Sequence, residues 1–148
     1  MMELLNMERY PAPYLAIKRT PGLLSTWTHY YKTPVGNFVY GCYDNHGQIA
    51  YVGRGSNNRL EQSMMAHGLL YGVYIAVNLT EDEAKFIEAA FITHFRPRQF
   101  CGILLNERTE SYPGLMEAMA MRASNPVVDQ MVRNEIIDRF RVLPGVFK

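Results

Sequence analysis

The chain has few features of a membrane protein, a zinc-binding domain or a secreted disulfide-rich protein. No apolar run approaches the roughly 20 residues that a membrane-spanning helix needs, so we expect no membrane contact. The amino terminus lacks a basic region followed by an apolar core, and a signal peptide is not expected. Two cysteines, Cys42 and Cys101, lack zinc-ligand spacing. We expect both to be reduced thiols in a cytoplasmic protein.

A strong net charge, internal repeats and low-complexity tracts are also lacking. The formal net charge is +1, which neither favours nor excludes nucleic acid as a partner. Its distribution is uneven, because residues 61–90 carry one Lys or Arg against five Asp or Glu, while both flanks are basic. The 148 residues, 48% hydrophobic and 20% charged, fit one globular domain.

Turn residues and hydrophobic patterning predict a mixed α/β fold, more closely described as α+β. The expected architecture is a small three-stranded, mostly antiparallel sheet flanked by helices. The predicted strands cover residues 38–43, 48–53 and 73–79. The predicted helices cover residues 58–67, 80–95, 112–123 and 125–140. We divide the single domain into an N-terminal arm packed on the core at 1–35, a core at 36–107 and a C-terminal helical extension at 108–148. The arm is expected to be irregular, with one short helix around 23–31.

Two tyrosines face the same side of a predicted hairpin. Two runs of aromatic and β-branched residues flank a turn sequence at residues 44–47. If the turn closes symmetrically, Tyr43 lies opposite Gln48 and Tyr40 lies opposite Tyr51. Two phenol hydroxyls in one small region can hold a water molecule or a phosphate oxygen. Paired rings are also ordinary sheet stabilisation, and both interpretations stay open at this point.

A glutamate interrupts the apolar face of the predicted helix at 80–95. At about 100° per residue, Glu88 falls inside the arc formed by Ile87, Phe91 and Phe95. An ionised carboxylate on a buried face is unfavourable unless it is paired or binds a metal. Glu88 is therefore expected to have a partner, either an arginine in a salt bridge or a divalent metal ion beside a cleft.

Taken together, these segments resemble the GIY-YIG nuclease family over roughly residues 36–107. Tyr40 ends a Val-Tyr segment similar to the end of the family's first motif. Tyr51, eleven residues further on, begins a Tyr-Val-Gly segment similar to the second motif. Arg59, on the following predicted helix, matches the family arginine. The order and spacing of these residues carry the resemblance.

The third and closing motifs follow in the same order. Glu88 precedes an Arg-Pro pair by eight residues, as in the third family motif, and Asn106 resembles the asparagine of the closing one. The chain departs from the family at Phe38, where the first motif usually has Gly, and at Ser63, where His or Tyr is common. His67, one further helical turn on, could fill that place from a shifted angle or could only favour the helix end as a cation.

The resemblance implies hydrolysis of a phosphodiester bond with one divalent metal ion, Mg²⁺ or Mn²⁺. It implies that Glu88 is the metal ligand and that Arg59 neutralises charge in the transition state. Tyr40 and Tyr51 would position the attacking water, and one of them could accept its proton. Asn106 would brace the site by hydrogen bonding.

The expected partner is DNA, with RNA as an open alternative. Arg54, Arg96 and Arg98 are candidate contacts to the nucleic-acid backbone, or solvated surface charges with no such role. The apolar helices predicted at the C-terminus could cover the core, form a homodimer interface or add DNA contacts.

Three functions therefore compete. The first is a metal-dependent endonuclease, and the second is a nucleic-acid-binding domain of the same fold that has lost catalysis. The third is a non-enzymatic α/β interaction domain in which Glu88 and Arg59 form a buried salt bridge. Retention of the charged motif residues favours the endonuclease.

Overall fold

An antiparallel sheet organises the computed structural model, which describes residues 15–19, 27–29, 34, 36–106, 129 and 135–143. Among these residues the strand order is β2-β1-β5-β3-β4. The strands are β1 (Leu15–Arg19), β2 (Trp27–His29), β3 (Asn37–Tyr43), β4 (Ile49–Gly55) and β5 (Tyr71–Leu79). The α-helices are α1 (Arg59–His67) and α2 (Glu81–Phe95), and 3-10 helices cover Arg98–Phe100 and Ile137–Phe140.

The predicted α+β fold is confirmed, with a larger sheet than expected. β4, β3 and β5 are the three predicted strands, and the N-terminal arm adds two more. β1 pairs with the edge of β5, and β2 pairs with β1. The short helix predicted around 23–31 is therefore wrong for residues 27–29. That aromatic segment has no clear helical period, whereas pairing in the sheet satisfies its backbone hydrogen-bonding groups.

The hairpin register is shifted by two residues from the symmetric one. Tyr40 pairs with Gly53 and Cys42 pairs with Tyr51, so the prediction that Tyr40 lies opposite Tyr51 is wrong. The shift includes an irregularity in β4, where Ala50 has no paired residue on β3 and forms a bulge. Because the shift is even, Tyr40 and Tyr51 still share one face, as diagonal neighbours.

The turn between β3 and β4 explains why the symmetric register does not form. The Asp44 Oδ1 atom accepts hydrogen bonds from the backbone N–H groups of His46 and Gln48, at 2.9 and 3.0 Å. Gly47 has a φ of +79°, a left-handed conformation that favours glycine. The backbone N–H of Asp44 donates to the carbonyl of Gln48. The side chain of Asp44 thus closes a longer turn than the spacing suggested.

The two helices cover opposite faces of the sheet. α1 lies on the face with Tyr40, in a cluster that is completed by Phe38, Cys42, Ala50, Leu60, Met64, Leu69, Tyr74 and Val77. α2 lies on the other face, where Phe91 packs in a larger cluster with Val39 and Val52. Cys42 is a buried free thiol and Cys101 an exposed one. Burial raises the pKa of the Cys42 thiol.

Both helices begin and end close to where the sequence predicts. Gly68 ends α1 in the left-handed conformation, and its N–H is bonded to carbonyls of the last turn. Thr80 and Glu83 form the expected capping box at the start of α2, at 2.9 and 3.1 Å. Within the described residues, no helix is long and apolar enough to cross a membrane.

Residues 135–143 pack against the core beside the hairpin. The Tyr43 hydroxyl donates to the Phe140 carbonyl at 2.6 Å, and the Leu143 N–H donates to the Gly47 carbonyl at 2.6 Å. The predicted helix over 125–140 is wrong at its end, because Glu135 has a φ of +56° and a 3-10 helix follows. The helix predicted at 112–123 lies outside the described residues, and a homodimer interface through the C-terminal helices stays a prediction.

Candidate functional site

Tyr40 is fully buried under α1. Its hydroxyl lies 2.5 Å from the Ser63 Oγ atom, a hydrogen bond that joins β3 to α1. A Cβ atom at Gly53, its strand partner, would overlap the Tyr40 hydroxyl. Burial is the main reason why the pKa of Tyr40 is raised far above its usual value, and the bond with Ser63 opposes that effect. Tyr40 is therefore a neutral phenol enclosed by protein.

Phe38 is part of the same enclosure. It is fully buried, and its ring packs edge-on against Tyr74, with centroids 4.9 Å apart. A second edge contact reaches Tyr40 at 6.0 Å. Where the family motif usually has glycine, this chain thus places a core side chain that fixes the ring of Tyr40.

Tyr51 lies between Tyr40 and the surface. Its ring is stacked on that of Tyr40 at 6.4 Å and on the imidazole of His67 at 4.4 Å, each with an interplanar angle of 28°. Tyr51 is half-buried, whereas His67, the last residue of α1, is exposed. The structure therefore places the ring of His67 on Tyr51, and whether His67 takes part in the site or only favours the helix end stays a prediction.

Two opposite charges act on Tyr51. Its pKa is raised mainly by burial, and the Glu88 carboxylate raises it further, while the Arg59 guanidinium lowers it. Arg59 also lowers the pKa of Tyr40. Arg59 is exposed at the first position of α1, and a Cβ at Gly55 would overlap its side-chain carbons. Glu88 and Arg59 thus have opposite effects on the pKa of Tyr51, which a hydrogen bond with Ser63 also lowers.

Glu88 is buried on α2, as its place in the apolar arc predicts, with 5% of its surface exposed. Its Oε1 atom accepts a hydrogen bond from Arg54 Nε at 2.9 Å. The Arg54 side chain is 35% exposed, so solvent screens this ion pair from one side. Glu88 thus pairs with Arg54 on β4, and not with Arg59 as the interaction-domain alternative assumes.

Asn106 closes the outer edge of β4. Its Oδ1 accepts from the Val52 N–H at 3.0 Å, and its Nδ2 donates to the Val52 carbonyl at 2.8 Å. The N–H of the preceding residue, Leu105, donates to the Ala50 carbonyl at 2.6 Å. The amide of Asn106 thereby replaces a neighbouring strand at this position, and its bracing role in a catalytic site stays a prediction.

The predicted residues fall into two groups in space. One group surrounds β4 and the start of α1, and consists of Tyr40, Tyr51, Arg54, Arg59, His67, Glu88 and Asn106. The other group is Arg96 and Arg98, which follow α2 as exposed side chains. Arg96 has a φ of +60°, unusual for a non-glycine residue. The structure leaves these two arginines outside the tyrosine cluster.

Sequence reasoning missed the roles of Ser63 and Gly53. Ser63 is a departure from the family motif in the sequence, and in the structure it holds the Tyr40 hydroxyl. Its position one helical turn after Arg59 was the available signal, because residues four apart share a helix face. Gly53 gave no signal of its own, since the crowding at Tyr40 depends on the shifted register.

The donor set around Glu88 limits which metal could bind there. Among the described residues, no three His, Cys, Asp or Glu side chains are grouped to hold a metal ion. A zinc or structural calcium site needs more protein ligands than this. Mg²⁺ is commonly held by one or two carboxylates, with phosphate and water completing its shell. A buried carboxylate such as Glu88 is a donor that would suit Mg²⁺ or Mn²⁺ if phosphate and water completed the shell.

The fold and the site define an α+β protein with phenol, guanidinium and carboxylate groups gathered at a sheet edge. The chain is 33% identical over 95 residues to UvrABC system protein C of Coxiella burnetii, in strains that include Dugway 5J108-111 and CbuG_Q212. The similarity covers 55% of this chain and spans 15% of the length of those relatives. No family model and no solved structure matches the chain.

Proposed function

We propose that this chain is a metal-dependent endonuclease that hydrolyses phosphodiester bonds in DNA. The observation that carries the proposal is the convergence on Tyr51 of the rings of Tyr40 and His67 and the charges of Arg59 and Glu88. The resemblance of these residues to the GIY-YIG motifs supports the same chemistry. The partial similarity to UvrABC system protein C supports nuclease function in general.

Arg59 is suited to the phosphate. Its exposed guanidinium offers forked N–H donors that match phosphate oxygens, and its charge would neutralise the charge that grows in the transition state. Tyr51 would position the attacking water, since a phenol hydroxyl both donates and accepts, and the buried Tyr40 would support the ring of Tyr51. The raised pKa of both phenols keeps them protonated at neutral pH, which favours orientation of the water over proton abstraction by a free phenolate.

Glu88 would hold the metal ion together with substrate phosphate and water. When bound, Mg²⁺ or Mn²⁺ supplies positive charge that stabilises the leaving oxygen. Arg54 competes for the same carboxylate, because its Nε already donates to Oε1. We propose that Arg54 shares Glu88 with the ion or turns toward the nucleic-acid backbone, which its partial exposure permits. Removal of Arg54 should therefore lower the metal concentration needed for activity.

Other parts of the chain would add affinity without sequence information. Arg96 and Arg98 are exposed cations beyond α2, suited to contacts with phosphate oxygens. Such contacts would weaken steeply with salt, as all phosphate binding does. DNA is the proposed partner, and RNA is the competing substrate for the same chemistry.

The salt bridge between Arg54 and Glu88 also favours a second candidate. An ion pair at the edge of a core can be purely structural, and the chain would then be a binding domain of the same fold without catalysis. DNA binding without metal-dependent cutting would support that alternative. Neither binding nor cutting, with Glu88→Ala strongly destabilising, would support an interaction domain.

The test is cleavage of supercoiled plasmid by purified protein, with and without Mg²⁺ or Mn²⁺, beside Glu88→Gln. The amide keeps the shape of the side chain and removes its charge, so a matched melting temperature separates chemistry from folding. We expect metal-dependent nicking that is lost in Glu88→Gln and that needs less metal in Arg54→Gln. Arg96→Gln serves as the control, with weaker binding and an unchanged metal requirement. No cutting of plasmid, branched DNA or RNA would refute the proposal.

A further inference from the structure

The two tyrosines of the site have different surroundings. Tyr40 is fully buried, its hydroxyl is bonded to Ser63, and the backbone of Gly53 lies against that hydroxyl. Tyr51 is half-buried and stacks on the exposed ring of His67. A side chain that contacts the substrate must be accessible from solvent. Of the two tyrosines, only Tyr51 lies at the border between core and solvent.

We infer that Ser63 is a positioning residue that holds the Tyr40 hydroxyl inside the protein and leaves Tyr51 as the phenol that meets the substrate. The inference rests on the proposed nuclease function and assigns different roles to two tyrosines with similar motif positions. It also gives a role to Ser63, at which the chain departs from the family.

The hydrogen bond between Tyr40 and Ser63 connects the two elements that carry the reactive groups. Tyr40 lies on β3, which pairs with β4 and so with Tyr51. Ser63 lies on α1, one turn after Arg59. Both hydroxyls are buried, and each can donate to or accept from the other. Ser63 also lowers the pKa of Tyr51 through a side-chain hydrogen bond, so its hydroxyl lies beside both phenols. The bond therefore fixes α1, and with it Arg59, relative to the sheet that carries Tyr51.

The position of Gly53 strengthens this assignment. A Cβ at Gly53 would overlap the hydroxyl and ring of Tyr40, so the strand backbone itself covers that side of the phenol. Phe38 packs against another side of the ring, at 6.0 Å. Tyr40 is thus held by packing on its ring and by Ser63 at its hydroxyl.

The test compares Ser63→Ala, Ser63→Thr, Tyr40→Phe and the double variant Ser63→Ala/Tyr40→Phe in plasmid nicking with Mg²⁺. We expect Ser63→Ala and Tyr40→Phe each to lower kcat about tenfold with little change in KM, because misplacement of the site impairs the chemical step. Tyr51→Phe should lower kcat about a hundredfold or more. The double variant should be within about twofold of either single one, since both remove the same bond.

Ser63→Thr retains the hydroxyl and should recover activity. If its extra methyl group prevents folding, the comparison of Tyr40→Phe with the double variant still decides the question. A merely structural Ser63 would lower the melting temperature and leave kcat unchanged. Unchanged kcat in Ser63→Ala, or losses that multiply in the double variant, would overturn the inference.

A second measurement does not depend on activity. Tetranitromethane nitrates accessible tyrosines, and peptide mass spectrometry locates the modified residue. We expect nitration at Tyr51 and protection at Tyr40 in the wild type, and equal labelling of the two would overturn the inference. If the wild type shows this pattern and cuts no substrate, the nuclease proposal fails, and the positioning role fails with it. Cutting with an unaffected Ser63→Ala would remove the role of Ser63 alone.

Discussion

Substitution of Gly53 by alanine is the most direct test of the packing around Tyr40. Gly53 is buried in β4, opposite Tyr40, and its added Cβ would overlap both the hydroxyl and the Cζ atom of that side chain. The ring cannot move away easily, because Ser63 holds the hydroxyl and Phe38 packs against the ring. We therefore expect Gly53→Ala to destabilise the fold by overpacking.

The expected loss in free energy of unfolding is about 1–3 kcal/mol, the usual range for inserting a methyl group into a filled core. For a domain of this size each kcal/mol lowers the melting temperature by about 2–4 °C. The fall in melting temperature should therefore be roughly 2–12 °C. Activity should fall as well, because relief of the overlap would move the ring of Tyr40 and break its bond with Ser63.

The chain offers a matched control in the same hairpin. A Cβ at Gly41, also buried, would lie 3.4 Å from Ile49 Cδ1 and 3.5 Å from Ile75 Cδ1, which is ordinary contact. Gly41→Ala should change stability by less than about 1 kcal/mol, since removing glycine also stabilises through the unfolded state. Urea unfolding of both variants measures the difference. Equal stability of the two would refute the packing described for Tyr40.

Three further perturbations test other parts of the structure. Asn106→Leu should lower the free energy of unfolding in urea by about 1–3 kcal/mol or more, because it leaves both backbone groups of Val52 without their partner. Thr80→Ala should lower it by about 1 kcal/mol through loss of the capping box, whereas Thr80→Ser should retain it. The pKa of Asp138 is lowered in the folded protein, chiefly by its hydrogen bonds from Arg141. The stabilisation that the Asp138 carboxylate provides is therefore present above the unfolded pKa of about 3.9, and it is lost as the pH falls through the folded pKa. Melting curves of Asp138→Asn and wild type should differ at neutral pH and converge in acid.

For each of these three predictions, a specific outcome would contradict the interaction on which it rests. Unchanged stability of Asn106→Leu would mean that Val52 does not depend on the amide. Equal losses in the alanine and serine variants of Thr80 would assign the effect to packing and not to the cap. Parallel melting temperatures for Asp138→Asn and wild type across the whole pH range would rule out the ion pair as a source of stability.

Local rules identified α1, α2 and the buried carboxylate of Glu88. The capping box at Thr80 and the C-terminal Gly68 depend only on neighbouring residues, and both are present. The burial of Glu88 followed from its angle on the helix, and the physical need for a partner followed from its charge. The choice of Arg54 as that partner could not be read from the sequence, because it depends on which face of β4 meets α2.

Long-range geometry accounts for what the sequence could not predict. The shifted register depends on the bond from Asp44 and the bulge at Ala50, and neither has a strong sequence pattern. The bond between Tyr40 and Ser63 joins residues 23 positions apart, on a strand and a helix that the sequence does not show to be in contact. The pairing of β1 with β5 spans more than 50 positions, for instance from Leu15 to Val73, and sequence period alone does not find such partners.

The position of the site at an edge strand has a physical basis. Side chains alternate along a strand, so β4 directs Tyr51 to the face of α1 and Arg54 to the face of α2. Only at an edge can groups from both faces approach each other around the strand. An exposed edge carries backbone groups that invite pairing with other chains, and Asn106 occupies those groups at Val52. The hydrogen bonds of Asn106 that protect the edge of β4 thus also fix the strand between Tyr51 and Arg54. Loss of Asn106 should therefore disturb the site and the fold together.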